Sequence, residues 1–157
     1  MEILRWMGIA DRYKKMCLDR KLAPLGLNSS QHIYVLKVCR EPGITQDQFL
    51  ESFSVHPSNV TRAVAALEKG GFLRREQYEE DKRTCRLYPT EKSLGIFEQI
   101  RRISRETEGE MTEDFTEEEE VRQLNDLLQR AAENLHSCLY PGKERFWEKR
   151  REERNEK

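Results

Sequence analysis

Four hydrogen-bonding side chains, Ser58, Asn59, Thr61 and Arg62, crowd into one short stretch of the chain. The amide of an Asn matches the N6 and N7 groups of adenine, a guanidinium matches O6 and N7 of guanine, and a hydroxyl reaches a base edge or a phosphate. The plainer reading is a solvated helical turn in which Ser58 and Asn59 only cap, but the elements around them favour contact with nucleic acid. A second polar group, Asp81, Lys82 and Arg83, suits a narrow minor groove, where negative potential is concentrated. Its plainer reading is an ordinary charged turn. Arg74, Arg75 and Arg86 are lesser candidates for phosphate contact.

A helix has to present the first group. Pro57 suits a first helical position, where its missing N–H leaves no bond unmade, and Gly70 with Gly71 suits a C-terminal stop. Between them Val60, Ala63, Val64 and Leu67 recur at helical spacing and face a core, which leaves Ser58, Asn59, Thr61 and Arg62 outside. Upstream, Thr45 and Gln48 have the form of a capping box that opens a short helix with Phe49, Leu50 and Phe53 as its apolar set. The two helices, joined around Ser54 to His56, make a helix-turn-helix. Downstream, Phe72 to Tyr78 and Cys85 to Pro89 read as strands joined by the polar segment 79–84, a hairpin or wing.

The flanks read as helices. Leu4, Met7, Tyr13, Met16 and Cys17 recur at three and four residues in a first helix that ends near Leu22, because Pro24 disfavours helical geometry before it. Asn28 to Gln31 has a box-like form and precedes Ile33, Val35, Leu36, Val38 and Cys39, apolar on so many sides that the helix reads as central. Beyond the hairpin, Thr90 opens a helix with Leu94, Phe97, Ile100 and Ile103 on one side. The stretch 106–120 holds nine acidic residues and no basic one, a solvated face or loop that would point away from DNA. Thr116 to Glu119 has the form of a third box, and Val121, Leu124, Leu128, Ala131, Leu135 and Cys138 then repeat every 3.5 residues on average, the pattern of a helix packed along another. The tail 141–157 mixes basic and acidic residues around Phe146 and Trp147.

Composition excludes several function classes. A chain of 157 residues with 36% apolar and 36% charged residues is one domain whose core is thin for a monomer. A net charge of -1 rules out an indiscriminate basic coat but leaves local DNA contact open. No apolar run is long enough to span a membrane, and the acidic start lacks signal-peptide character, so a cytoplasmic protein is the simplest expectation. Nucleotide-binding glycine loops, metalloprotease motifs and nucleophile elbows are all missing, so no enzyme and no cofactor is expected. His32, His56 and His136 lie in no metal-ligand spacing. His32 with Tyr13 and Tyr34 is a candidate pocket lining, against core packing as the equal alternative. Cys17, beside Lys14, Lys15 and Arg20, is a candidate redox thiol, but buried packing is the favoured reading for it and for Cys39, Cys85 and Cys138.

The order Leu25-Gly-Leu-Asn-Ser-Ser-Gln31, then Leu67-Glu-Lys-Gly-Gly-Phe-Leu73, then Asp81-Lys-Arg83, then Leu87-Tyr-Pro-Thr-Glu-Lys92 resembles the MarR/SlyA-type regulators, up to about Leu139. The resemblance implies a dimeric winged-helix protein that binds double-stranded DNA, usually a repressor, in a family of which many members are released by small aromatic or lipophilic effectors or by thiol oxidation. It also implies that Asp81 braces Arg83. Cys17 lies further into its helix than the reactive cysteine of the family's peroxide-sensing branch. The expected fold is mainly α, a winged helix-turn-helix with a small β-hairpin wing, flanked by N- and C-terminal dimerisation helices. A single domain over 1–140 would hold the winged helix at 28–90 and dimerisation helices at 1–22 and 91–139, followed by a charged tail at 141–157. Leu4, Tyr13, Phe97, Ile100, Val121, Leu124, Leu128 and Leu135 would meet a second copy, forming a homodimer on an inverted-repeat operator. The alternatives are a winged-helix module that docks proteins and a thiol-based redox-sensing regulator.

Overall fold

The computed structural model describes residues 2–53, 55–77 and 85–142. Helix α1 spans Ile3–Leu22, followed by a 3₁₀ turn at Ala23–Leu25 and by α2 at His32–Arg40. Strand β1 (Ile44–Thr45), α3 (Gln46–Phe53), α4 (Pro57–Lys69), β2 (Leu73–Gln77) and β3 (Cys85–Pro89) follow, then α5 (Glu91–Met111) and α6 (Glu118–Leu139). The chain divides into two compact units after Met111.

In the first unit, the core gathers where α2 packs against α4, α5 and β3, as the near-continuous apolar character of that helix predicts. Val35 and Val38 of α2, Phe49 of α3, Val60, Val64 and Leu67 of α4, and Leu87 of β3 are buried. Tyr34 sets its ring edge-on to Phe49 and Phe53, with centroids 5.2 and 5.3 Å away, so one aromatic trio joins α2 to α3. Burying the Tyr34 and Phe49 rings stabilises the unit by about 2 kcal/mol each, and the half-buried Phe53 adds less.

The sheet is antiparallel in the order β1-β3-β2. Leu73 pairs with Pro89 and Gln77 with Cys85, while Ile44 pairs with Leu87. Two strands follow the sequence expectation. The third, β1, is only Ile44–Thr45 and is too short for alternation to announce it. Gly43 makes that pairing possible: its N–H donates to the Leu87 carbonyl at 2.8 Å, its φ is +87°, and a Cβ there would lie 3.3 Å from the Tyr88 hydroxyl.

Capping decides the helix ends, and the three sequence boxes fare differently. Thr45 and Gln48 form theirs reciprocally: the Thr45 N–H donates to Gln48 Oε1 at 2.9 Å and the Gln48 N–H to Thr45 Oγ1 at 3.3 Å. At Asn28 the side-chain oxygen instead accepts from the N–H and hydroxyl of Ser30, a local turn that competes with capping. α2 therefore begins at His32 with no side-chain cap. In the second unit the box slides by one residue, and the Glu120 carboxylate, not that of Glu119, accepts from the N–H groups of Thr116 and Glu117 at 2.8 and 3.3 Å.

Several expected faces change. On α5 the buried stripe is Ser93, Ile100, Ile103 and Thr107, and Leu94 is exposed. Ile100 is fully buried inside its own unit, so it is a core residue of one chain and not a dimer contact. Cys17 and Cys138 are exposed, against the expectation of buried packing, and Cys39 and Cys85 are half-buried. Burial pushes the Cys39 thiol up. Residues 106–111 of the acidic stretch belong to the end of α5, where Glu110 pairs with Lys21 of α1 at 2.7 Å.

No residue of α6 is buried, and Val121, Leu127, Leu128, Leu135 and Leu139 are exposed. Ile3, Leu4, Trp6, Tyr13 and Met16 of α1 are exposed too. Among the described residues no helix is long and apolar enough to cross a membrane.

Candidate nucleic-acid interface

Helix α4 carries the candidate group and is closed at both ends by chemistry specific to those ends. Pro57 occupies the first turn, and His56, in extended conformation, is the N-cap, its Nδ1 accepting from the Ser58 N–H at 3.3 Å and lying 2.8 Å from the Ser58 hydroxyl. Histidine is not among the usual capping residues, so the sequence did not mark His56 for this role. At the other end the Phe72 N–H reaches the Leu67 carbonyl at 2.8 Å and the Gly71 N–H reaches Glu68 at 3.0 Å, with Gly71 at φ +72°, a Schellman stop.

Val60, Val64 and Leu67 turn into the core. Ser58, Asn59, Thr61 and Arg62 are exposed together, as their spacing predicts. They are also tied to one another. The Thr61 hydroxyl donates to the Pro57 carbonyl at 3.1 Å, Arg62 Nε to the Ser58 carbonyl at 3.2 Å, and Arg62 Nη2 to Asn59 Oδ1 at 2.8 Å. The face presented by α4 is thus a set of half-engaged donors and acceptors on a rigid support.

The strand arginines are engaged more deeply. Arg74 lies on the outer sheet face with Glu76, Arg86 and Tyr88, ion-paired to Glu76 and 5.0 Å from the Tyr88 ring centroid. Arg75 turns to α4 and pairs with Glu68 at 2.9 Å, holding the strand to the helix. Arg86 donates to the Gly43 carbonyl at 3.2 Å, bracing the β1 turn. Asp81, Lys82 and Arg83 lie outside the described residues.

The proposed pocket trio does not come together. His32 and Tyr34 are two residues apart on one helix and so face different directions. Tyr34 is committed to the aromatic core, where burial raises its pKa, and Tyr13 is exposed. His32 is buried, and among the described residues its Nδ1 has no hydrogen-bond partner. Burial lowers its pKa, opposed by the backbone at Ser29 and Asn28. Near Cys17, Lys14 and Lys15 are both paired with Asp11, at 2.9 and 2.5 Å, and these bonds lower the Asp11 pKa, Lys15 most. Among the described residues no cluster of His, Cys, Asp or Glu could hold a metal.

Comparison with known proteins bears on the same segment. The model of the MarR family matches residues 27–85. The uncharacterized HTH-type transcriptional regulator YybA of Bacillus subtilis (strain 168) is 29% identical, covering 94% of this chain and 92% of that one. A crystal structure of MarR is similar at 30% identity and a TM-score of 0.72, over 86% of this chain and 98% of that chain. A MarR family transcriptional regulator from Listeria monocytogenes, solved in complex with a 26mer DNA, superposes with a TM-score of 0.77 at 26% identity, over 92% of this chain and 99% of that chain.

Proposed function

This chain belongs to the MarR family of transcriptional regulators, and from that membership we propose that it binds double-stranded DNA in a sequence-specific manner, as a homodimer on an inverted-repeat operator, and represses transcription in the cytoplasm. The observation that carries the reading is the exposed polar turn of α4, with Ser58, Asn59, Thr61 and Arg62 held on a helix whose other side is core. A similar protein from Listeria monocytogenes was solved with DNA, which supports entry of α4 into the major groove. Lys82 and Arg83, braced by Asp81, would reach the minor groove, and Arg74, Arg75 and Arg86 would serve mainly to hold the wing.

The exposed apolar residues of α1 and of α6 support a second copy as the element that covers them. Two copies of α4 would then lie about one helical turn of DNA apart. A small aromatic or lipophilic effector would act by preferring one spacing of the two recognition helices over the other. A place for it beside His32 is supported by that ring's buried Nδ1, which has no partner among the described residues.

The test is selection from random duplexes by the purified protein, followed by a salt titration on the enriched sequence. An inverted repeat with a steep salt dependence is expected, and Arg83→Ala should weaken binding and reduce the logarithmic slope by about one. Enrichment of no motif at low salt would favour a protein-docking role for the winged helix. The exposure of Cys17 gives a second reading, release from DNA by thiol oxidation, which predicts that peroxide abolishes binding by the wild type and not by Cys17→Ser.

A further inference from the structure

Arg62 has five N–H donors in a plane, and two of them are already used. Nε donates to the Ser58 carbonyl at 3.2 Å and Nη2 to Asn59 Oδ1 at 2.8 Å. Nε and Nη2 share one side edge of the guanidinium, so that edge is turned against the helix. Among the described residues nothing takes the opposite end, Nη1 with the second N–H of Nη2, a pair of parallel donors. Guanine offers two acceptors, O6 and N7, on its major-groove edge, which such a pair matches. Adenine sets a donor, N6, beside N7, which opposes one of the two.

The same hydrogen bond changes what Asn59 can do. An Asn that reads adenine must accept from N6 through its side-chain oxygen, and Asn59 Oδ1 already spends one of its two lone pairs on a cation, which also turns the amide along the helix toward Arg62. We propose that Asn59 is a positioning residue for Arg62 and not a reader of adenine, and that Arg62, held by Asn59 and by the Ser58 carbonyl, reads a guanine in each half-site. This rests on the DNA-binding reading of α4. It goes beyond it by assigning a base class to one side chain and a supporting role to its neighbour. Holding the guanidinium before encounter removes rotamer freedom that binding would otherwise have to remove.

The experiment uses the full chain and its Asn59→Ala, Arg62→Ala, Asn59→Asp and doubly substituted forms, each selected on random duplexes and titrated at one salt concentration. Both side chains are exposed, and circular dichroism checks that each variant is folded. Arg62→Ala should erase one guanine preference at a cost of about tenfold or more in affinity. Asn59→Ala should weaken the preference at that same base pair several-fold, and the double variant should be no worse than Arg62→Ala, the signature of a coupled pair. Asn59→Asp keeps an acceptor for Nη2 and should restore the guanine preference even though its charge weakens binding overall. Replacing that guanine by 7-deazaguanine should cost the wild type affinity and leave Arg62→Ala unchanged. The inference is overturned if Asn59→Ala abolishes an adenine preference at a different base pair, additively with Arg62→Ala, or if the enriched motif survives Arg62→Ala intact. If the wild type enriches no motif, the DNA-binding reading falls and takes the inference with it.

Discussion

Burial makes the His32 imidazole a poorer base than a free one, with desolvation as the main cause. Lys14 adds to this, and Asp19 and the backbone at Ser29 and Asn28 oppose it. The unfolded chain takes up a proton at the ordinary value of 6.5, while the folded chain does so only at lower pH. Above that ordinary value the two states bind equally. Below it the unfolded state binds more, so stability falls as pH falls. Denaturant midpoints at about pH 7.5 and about pH 5.5 should therefore diverge more for the wild type than for His32→Gln. Equal divergence would mean that the ring is free to protonate in the folded state. Ser93 gives a second case. Its buried hydroxyl donates to the Phe72 carbonyl, and Ser93→Ala should cost about 1 kcal/mol in an equilibrium unfolding measurement, because that carbonyl keeps only the longer bond from the Thr90 N–H at 3.4 Å.

The ends of the elements carry much of their definition. His56 is a working N-cap made from an unusual residue, and Asp is a stronger one at a helix N-terminus. His56→Asp should raise stability by about 0.5 to 1 kcal/mol while weakening DNA binding, since it adds negative charge beside phosphates. A melting temperature that falls, or DNA binding that strengthens, would contradict this. Gly43 and Gly71 separate strain from crowding. Both have positive φ, but a Cβ at Gly71 meets nothing within 4 Å, whereas one at Gly43 meets the Tyr88 hydroxyl at 3.3 Å. Gly71→Ala should cost about 1 kcal/mol and Gly43→Ala distinctly more, with loss of β1 pairing in amide exchange. The helix-turn-helix was legible because its apolar periodicity and its Pro and Gly boundaries agree. β1 was not, because a two-residue strand exists only where Leu87 offers it a partner.

For the molecule as a whole, the informative surface is the one that a single chain leaves uncovered. α6 runs for 22 residues with none buried, and a helix with such a 3.5-residue repeat is stable chiefly when something packs on it. On the proposed homodimer, Leu128→Glu with Leu135→Glu should shift the protein to a monomer in analytical ultracentrifugation and lower operator affinity by a hundredfold or so, an order-of-magnitude figure for losing the second half-site. An unchanged sedimentation coefficient would overturn the proposal that a second copy covers α6. Ile100 shows the reverse case: its apolar periodicity suggested a partner surface, yet α1 and α2 of the same chain pack against α5 and Ile100 is buried there.

Periodicity and punctuation in the chain by itself determined the six helices of the described residues, strands β2 and β3 and the outward group on α4, since these depend on residues within a few positions of one another. It left undecided which apolar residues are covered by their own chain and which are not. Cys17, Leu94, Ile100 and Tyr34 are alike apolar or weakly polar residues at helical spacing, and only packing separates an exposed thiol from a core ring. The tertiary structure also decided how polar side chains pair. Asn28 turned to Ser30, Arg75 to Glu68 and Arg62 to Asn59, because a hydrogen bond depends on ångström distances that residue type and spacing do not specify.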